Sequence, residues 1–215
     1  MQGENQGREA GALILDDLEV FNQSKLCFEK EVQTEVWRQI MAYLEAWTNS
    51  NRLSGEAEAP TYFFFCPPSW NLGDDLGHVA WFEFQREGEE DSYNVADLCG
   101  VGTGRVGLRF KFATKLFGGR RNWLMITKRD EFVQFIERLN FAGFVSDTIG
   151  ELYMQVIIPP SDIAAAWRSR DWKTALIPLG ESLELVKANL DLFIEFVDWA
   201  RSVSGQPDLG SPAVT

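Results

Sequence analysis

Four groups of residues in this chain have types and spacings that could do chemistry. The first is Asp97 followed by Gly102-Thr103-Gly104-Arg105-Val106-Gly107, a G-x-G-x-x-G string behind an acid. Glycines at that spacing let backbone amides approach a phosphate or nucleotide, provided the next element is a helix whose free N–H groups face the ligand. The second is Asp74 or Asp75 with Glu83 and Gln85. Carboxylates converging from a loop and a strand can hold divalent metal ions. The third is a basic island, Arg105, Arg109, Lys111, Lys115, Arg120, Arg121, Lys128 and Arg129, with Phe117 and Trp123 nearby. Cations interleaved with aromatics suit a phosphate or a single nucleic-acid strand, and Arg105, Arg109 and Lys111 are the candidate contacts. The fourth is acidic: Asp74, Asp75, Glu87, Glu89, Glu90 and Asp91, a set suited to a cationic partner surface. The third and fourth groups can also neutralise each other, with the β-region cations pairing to the acidic turn 87–91.

Residues 97–104 (DLCGVGTG) resemble the first motif of S-adenosylmethionine-dependent methyltransferases, in which an acidic strand end precedes a glycine turn. Cys66-Pro67-Pro68-Ser69-Trp70 is similar to the fourth motif of amino-methyltransferases. Here Cys66 stands where that family has an amide or carboxylate, and Ser69 displaces the aromatic by one position. The resemblance implies a cofactor held by Asp97, Gly102 and Gly104. Asp74 or Asp75 with Glu83-Phe84-Gln85 resembles an atypical PD-(D/E)xK nuclease core, with Gln85 in place of the lysine.

The element after the glycines decides the first resemblance. Residues 105–112 (RVGLRFKF) alternate strictly, with Val106, Leu108, Phe110 and Phe112 on one side and Arg105, Gly107, Arg109 and Lys111 on the other. That period of two predicts a strand. The glycines then form a loop between strands, and no cofactor is expected. A hydrolase triad has no basis either: His78 is the only histidine, and there is no G-x-S-x-G turn. Cys27, Cys66 and Cys99 are too sparse for a disulfide framework or a metal knuckle. They read as reduced thiols of a cytoplasmic protein, and no metal is expected.

Charge is unevenly spread. Residues 1–100 hold 6 Lys/Arg against 19 Asp/Glu, residues 101–140 hold 9 against 3, and residues 141–215 hold 5 against 10. The resulting net charge of −12 argues against broad nucleic-acid binding, because phosphate attraction is Coulombic. No apolar run approaches the ~20 residues a membrane helix needs.

Periodicity predicts the elements that must position these groups. A helix is predicted over 24–48, on the stripe Phe28, Val32, Val36, Ile40, Tyr43 and Trp47. Strands are predicted over 61–66, 79–85, 93–98, 105–112, 122–127 and 151–158, with 49–60 as a loop. Further helices are predicted over 130–141, opened by an S/T-x-x-D/E cap at Thr127, over 161–167 with Ser161 or Asp162 as cap, and over 181–202. The period of 12–21 does not decide between strand and helix. Residues 1–12 and 204–215 read as disordered, leaving one domain over 13–203. Strands cluster and do not alternate with helices. The fold class is therefore α+β: a twisted antiparallel sheet of five to six strands, helices on one face, and long N- and C-terminal helices.

With no coherent catalytic set, the leading expectation is a non-catalytic, acidic protein-interaction module. It would act as an inhibitor, an immunity protein or a nucleic-acid mimic, binding a basic surface of another protein. The alternatives are a methyltransferase-like enzyme on Asp97, Gly102 and Gly104, or a nucleic-acid-binding sheet on Arg105, Arg109 and Lys111.

Overall fold

The computed structural model describes residues 2–73, 76–88, 92–146 and 150–205. The strand that the alternation of 105–112 predicts is present as β4, Arg105–Phe112. It is an interior strand of the sheet. Its neighbours are β3 (Ala80–Glu87) on one side and β6 (Leu152–Gln155) on the other, both antiparallel. Outward from β3 come β2 (Tyr62–Cys66) and β1 (Ser54–Ala59), and outward from β6 comes β5 (Val145–Ser146). Among the described residues the strands thus form one six-stranded antiparallel sheet, ordered β1-β2-β3-β4-β6-β5.

Alternation gives the sheet two unlike faces. Phe63, Phe65, Phe82, Phe84, Leu108 and Phe110 point to one side and are fully buried. There Phe193 packs on Phe82 and Phe110 with ring centroids 4.8 and 4.7 Å apart. Trp37 lies against Phe84 and Trp47 against Phe65. Edge-to-face and offset contacts of this kind stabilise beyond simple burial. The helices that supply them are α3 (Gln33–Ser50) and α9 (Leu190–Val203), so the helical layer covers this face and the fold is α+β. The opposite face carries Tyr62, Phe64, Trp81, Glu83, Gln85, Arg109, Lys111 and Tyr153.

The predicted helix over 24–48 is part of a longer run. Helix α1 spans Gln2–Asp16 and α2 spans Leu18–Cys27, capped by the Asp17 carboxylate. A π-helical turn, Phe28–Val32, then leads directly into α3. Phe28, Val32, Val36 and Ile40 recur every fourth residue. That spacing drifts off one face of a 3.6-residue helix, and a wider turn corrects it. The polar segment 1–12, read as disordered, is helical from Gln2.

Several expectations are corrected. Residues 93–98 are helix α4 (Asn94–Leu98), not a strand. The helical turn places Val95 and Leu98 in the core and turns Asp97 toward the glycine loop. Residues 122–127 belong to helix α5 (Gly119–Ile126). Trp123 and Ile126 are buried while Leu124 and Met125 are exposed, a spacing of three. Helix α6 (Asp130–Phe141) is capped at Arg129 without the Thr127 side chain. Helix α7 (Pro160–Ser169) begins on prolines, not on a Ser161 or Asp162 cap. The single helix predicted over 181–202 is two, α8 (Ile177–Ala188) and α9, parted at Asn189. Residues 49–60 contain β1, where Gly55 is required because a Cβ would lie 2.6 Å from the Phe64 carbonyl oxygen. The tail 206–215 lies outside the described residues.

Candidate functional site

The glycine loop closes on the protein itself. Asp97 is fully buried, and its carboxylate accepts hydrogen bonds from Arg86 Nε (2.5 Å), Ser92 Oγ (2.6 Å) and the Gly104 amide (2.8 Å). Burial pushes the Asp97 carboxyl up. The bonds from Ser92, Arg86 and Gly104, with the Arg86 charge, outweigh it and hold the group below the usual carboxylate range. Gly102 and Gly104 are needed because side chains there would run into the Asp97 carboxylate. The structure brings together Asp97, Gly102 and Gly104, but around an internal ion pair. The element after the glycines is β4, so the loop leads into a strand and not into a helix N-terminus.

The open face of the sheet holds a second engaged carboxylate. Glu83 is 2% exposed, yet four donors reach it: Tyr62 Oη, Trp81 Nε1, Gln85 Nε2 and Lys111 Nζ. Gln85 and Lys111 meet Glu83 at 2.5 and 2.7 Å. The neighbouring cations are paired too. Arg105 binds Glu87 at 2.9 Å, and Arg109 bridges Glu87 and Glu151. Arg105 also stacks 4.3 Å from the Tyr153 ring centroid. Burial pushes the Tyr153 hydroxyl up to about 12.

Each candidate phosphate contact on β4 therefore already faces a carboxylate of its own sheet. Glu87 is turned inward by two arginines. Asp74, Asp75, Glu89, Glu90 and Asp91 lie outside the described residues. Among the described residues, no three His, Cys, Asp or Glu side chains gather to hold a metal ion. No described helix is long and apolar enough to cross a membrane. His78, in a bridge with Asn71, rests its ring on Phe64. Of the basic island, the exposed members without a carboxylate partner among the described residues are Lys115, Arg120, Arg121, Lys128 and Arg129, off the sheet around α5.

No protein-family model, curated protein or solved structure matches this chain. The site must be read from its own chemistry.

Two features that periodicity did not single out stand apart from these internal networks. One is the arm formed by α1 and α2. Helix α2 has no buried residue, and Leu18, Val20, Phe21 and Leu26 are exposed on several of its sides. Leu13 and Leu15 of α1 are 72% and 73% exposed. Half of α2 is polar, yet its apolar side chains are spread around the helix and none of them is buried. The acids Asp16, Asp17 and Glu19 sit among these side chains. The other feature is an open groove of about 400 Å³ at the root of the arm. Its floor and walls are Phe28, Val32, Val95, Ala96, Cys99, Val101, Pro160, Ile163, Ala164 and Trp167, with Arg168 at the rim. Burial pushes the Cys99 thiol up. The sequence signal for the arm is ALILDDLEVF, whose apolar residues fit neither one helical face nor one strand face.

Proposed function

We propose that this chain is a non-catalytic protein-interaction module whose contact element is the acidic, apolar arm. The exposure of Leu13, Leu15, Leu18 and Phe21 on a formed helix is the observation that carries the reading. Such a helix docks by laying apolar anchors into a groove on its partner. The acids between the anchors select a partner surface rimmed with cations and steer the encounter. The negative balance of residues 1–100, including Asp74, Asp75, Glu89, Glu90 and Asp91, adds to that field. An inhibitor or immunity-type protein works by contact of this kind.

The enzyme reading has less support, because the buried carboxylates of Asp97 and Glu83 are saturated by their own neighbours. The test is capture of binding proteins by the immobilised chain at low and high salt, beside Leu18→Glu and Phe21→Glu. Binding that both variants abolish and that salt weakens supports the reading. Binding unchanged in both variants, or no binding of any protein, a second copy of this chain included, removes it.

A further inference from the structure

We infer that the surface the arm docks on is the groove of a second copy of this chain. This rests on the reading of the arm as a contact element and names its partner. Three observations converge on the same occupant.

The first is continuity. Phe28 and Val32, in the π-turn that directly follows the arm, are also a wall of the groove, so the groove lies at the arm's root. Monomers rarely expose contiguous apolar patches beyond a few hundred Å². The helical run continues from that wall through α2 without a break, so a chain's own α2 leads away from its own groove. A neighbouring copy's arm can enter.

The second is charge. Arg168 stands at the groove rim, and Arg170 stacks 4.9 Å from the ring centroid of Trp167, a groove residue. Arg168 has no carboxylate within ion-pair distance among the described residues, while Arg170 lies near enough to Glu35 of its own chain to help hold that carboxyl down. The arm presents Asp16 and Glu19 beside Leu15 and Leu18. An apolar helix with acids thus meets an apolar groove with arginines.

The third is symmetry. Each copy carries both an arm and a groove, so a two-fold dimer makes the contact twice and leaves no end open. In that arrangement the apolar side chains of each arm that enter the partner's groove are covered.

Sedimentation of the full chain, with charge-swapped variants, tests this. The parent is expected to be a dimer. Asp16→Arg with Glu19→Arg on the arm, or Arg168→Glu with Arg170→Glu on the rim, is expected to weaken it at least about ten-fold. All four changes in one chain restore the pairs and the dimer. Ala164→Trp fills the groove and gives a monomer, and its circular dichroism should match the parent's. The two swaps mixed as separate proteins form a heterodimer that neither forms alone.

A parent that stays monomeric at the highest attainable concentration overturns the second copy as occupant. The interaction reading then survives only if arm-dependent capture of another protein persists. A dimer that withstands both the arm and the rim swaps overturns the arm–groove contact. So does a four-fold variant that stays monomeric.

Discussion

Arg86 donates through Nε to Oδ2 of Asp97 at 2.5 Å, tying β3 to α4 beneath the glycine loop. The carboxylate is fully buried and the guanidinium nearly so. Seventeen residues of chain separate Glu87 from Arg105, yet the two pair across the sheet, and within residues 92–104 Ser92 and Gly104 close on this ion pair. The glycines close the excursion: a Cβ on Gly88 would lie 2.6 Å from the Gly104 Cα. The string that could have cradled a nucleotide thus accommodates a carboxylate of its own chain.

Truncating Asp97 removes the buried carboxylate that Arg86 Nε, Ser92 Oγ and the Gly104 amide all bind. Asp97→Ala is expected to lower the unfolding free energy by about 3–5 kcal/mol, measured from urea titrations. A variant that unfolds at the parent's midpoint would show that Asp97 does not anchor the loop.

The same carboxylate makes stability depend on acid. Its folded pKa lies below the ordinary value of 3.8, and the unfolded chain has the ordinary value. Above that value both states are ionised and the contribution is complete. As pH falls through it, the unfolded chain binds the proton first and stability declines, until the folded group protonates as well. Glu35, held to about 2 by hydrogen bonds from Arg38 and Gln39, acts with the same sign. Thermal melts between about pH 6 and pH 2 should fall less steeply for Asp97→Asn than for the parent. Equal slopes would exclude Asp97 as a source.

The central sheet was legible because RVGLRFKF and VAWFEFQ each alternate over a full strand, and because aromatic residues fill the inward side. Strand β1 was not, since SGEAEA has no strand-forming residue and its place is fixed by pairing with β2. YNVADL is short enough to satisfy two periods, and the long-range bond from Arg86 to Asp97 decides for a helix. The division at Asn189 was hidden because the stripe Leu183, Val186, Leu190, Phe193 continues through it without glycine or proline. The ion pairs from Arg105 and Arg109 to Glu87 were legible as neutralisation of the acidic turn, and the sheet register brings those residues together. The arm's exposure was not, because whether an apolar segment is covered is a property of the whole fold.

Glu83 is the analogous anchor on the open face. Glu83→Ala would leave Lys111 half-buried without its carboxylate and would orphan the Tyr62, Trp81 and Gln85 donors. We expect a loss of about 3 kcal/mol in a urea titration, and a smaller loss, about 1–3 kcal/mol, for Glu83→Gln, which retains an acceptor. Losses in the reverse order would contradict a charge-centred role.

Because the β4 cations already face Glu83, Glu87 and Glu151, they should add little affinity for a single-stranded oligonucleotide. Fluorescence anisotropy at low salt should give the same curve for the parent and for Arg105→Ala. A clear loss in the variant would return the nucleic-acid reading to the sheet. S-adenosylmethionine should likewise give no binding heat, and saturable heat would reopen the glycine loop as a site.

The three cysteines should separate by reactivity. A thiol reacts as its thiolate, so access and pKa together set the rate. Cys27, at the end of α2, is exposed. Cys66 is fully buried in β2, and burial pushes its thiol up to about 12. At pH 8 only about one Cys66 in ten thousand would be ionised. Cys99, in the groove floor, is 8% exposed and also pushed up by burial. Ellman's reagent at pH 8 should therefore find one fast thiol in the native chain and three after denaturation. The fast reaction should vanish in Cys27→Ser and persist in Cys66→Ala. Rapid modification of Cys66 in the native protein would mean that β2 opens to solvent, and the burial of the strand beside Phe65 would have to be reconsidered.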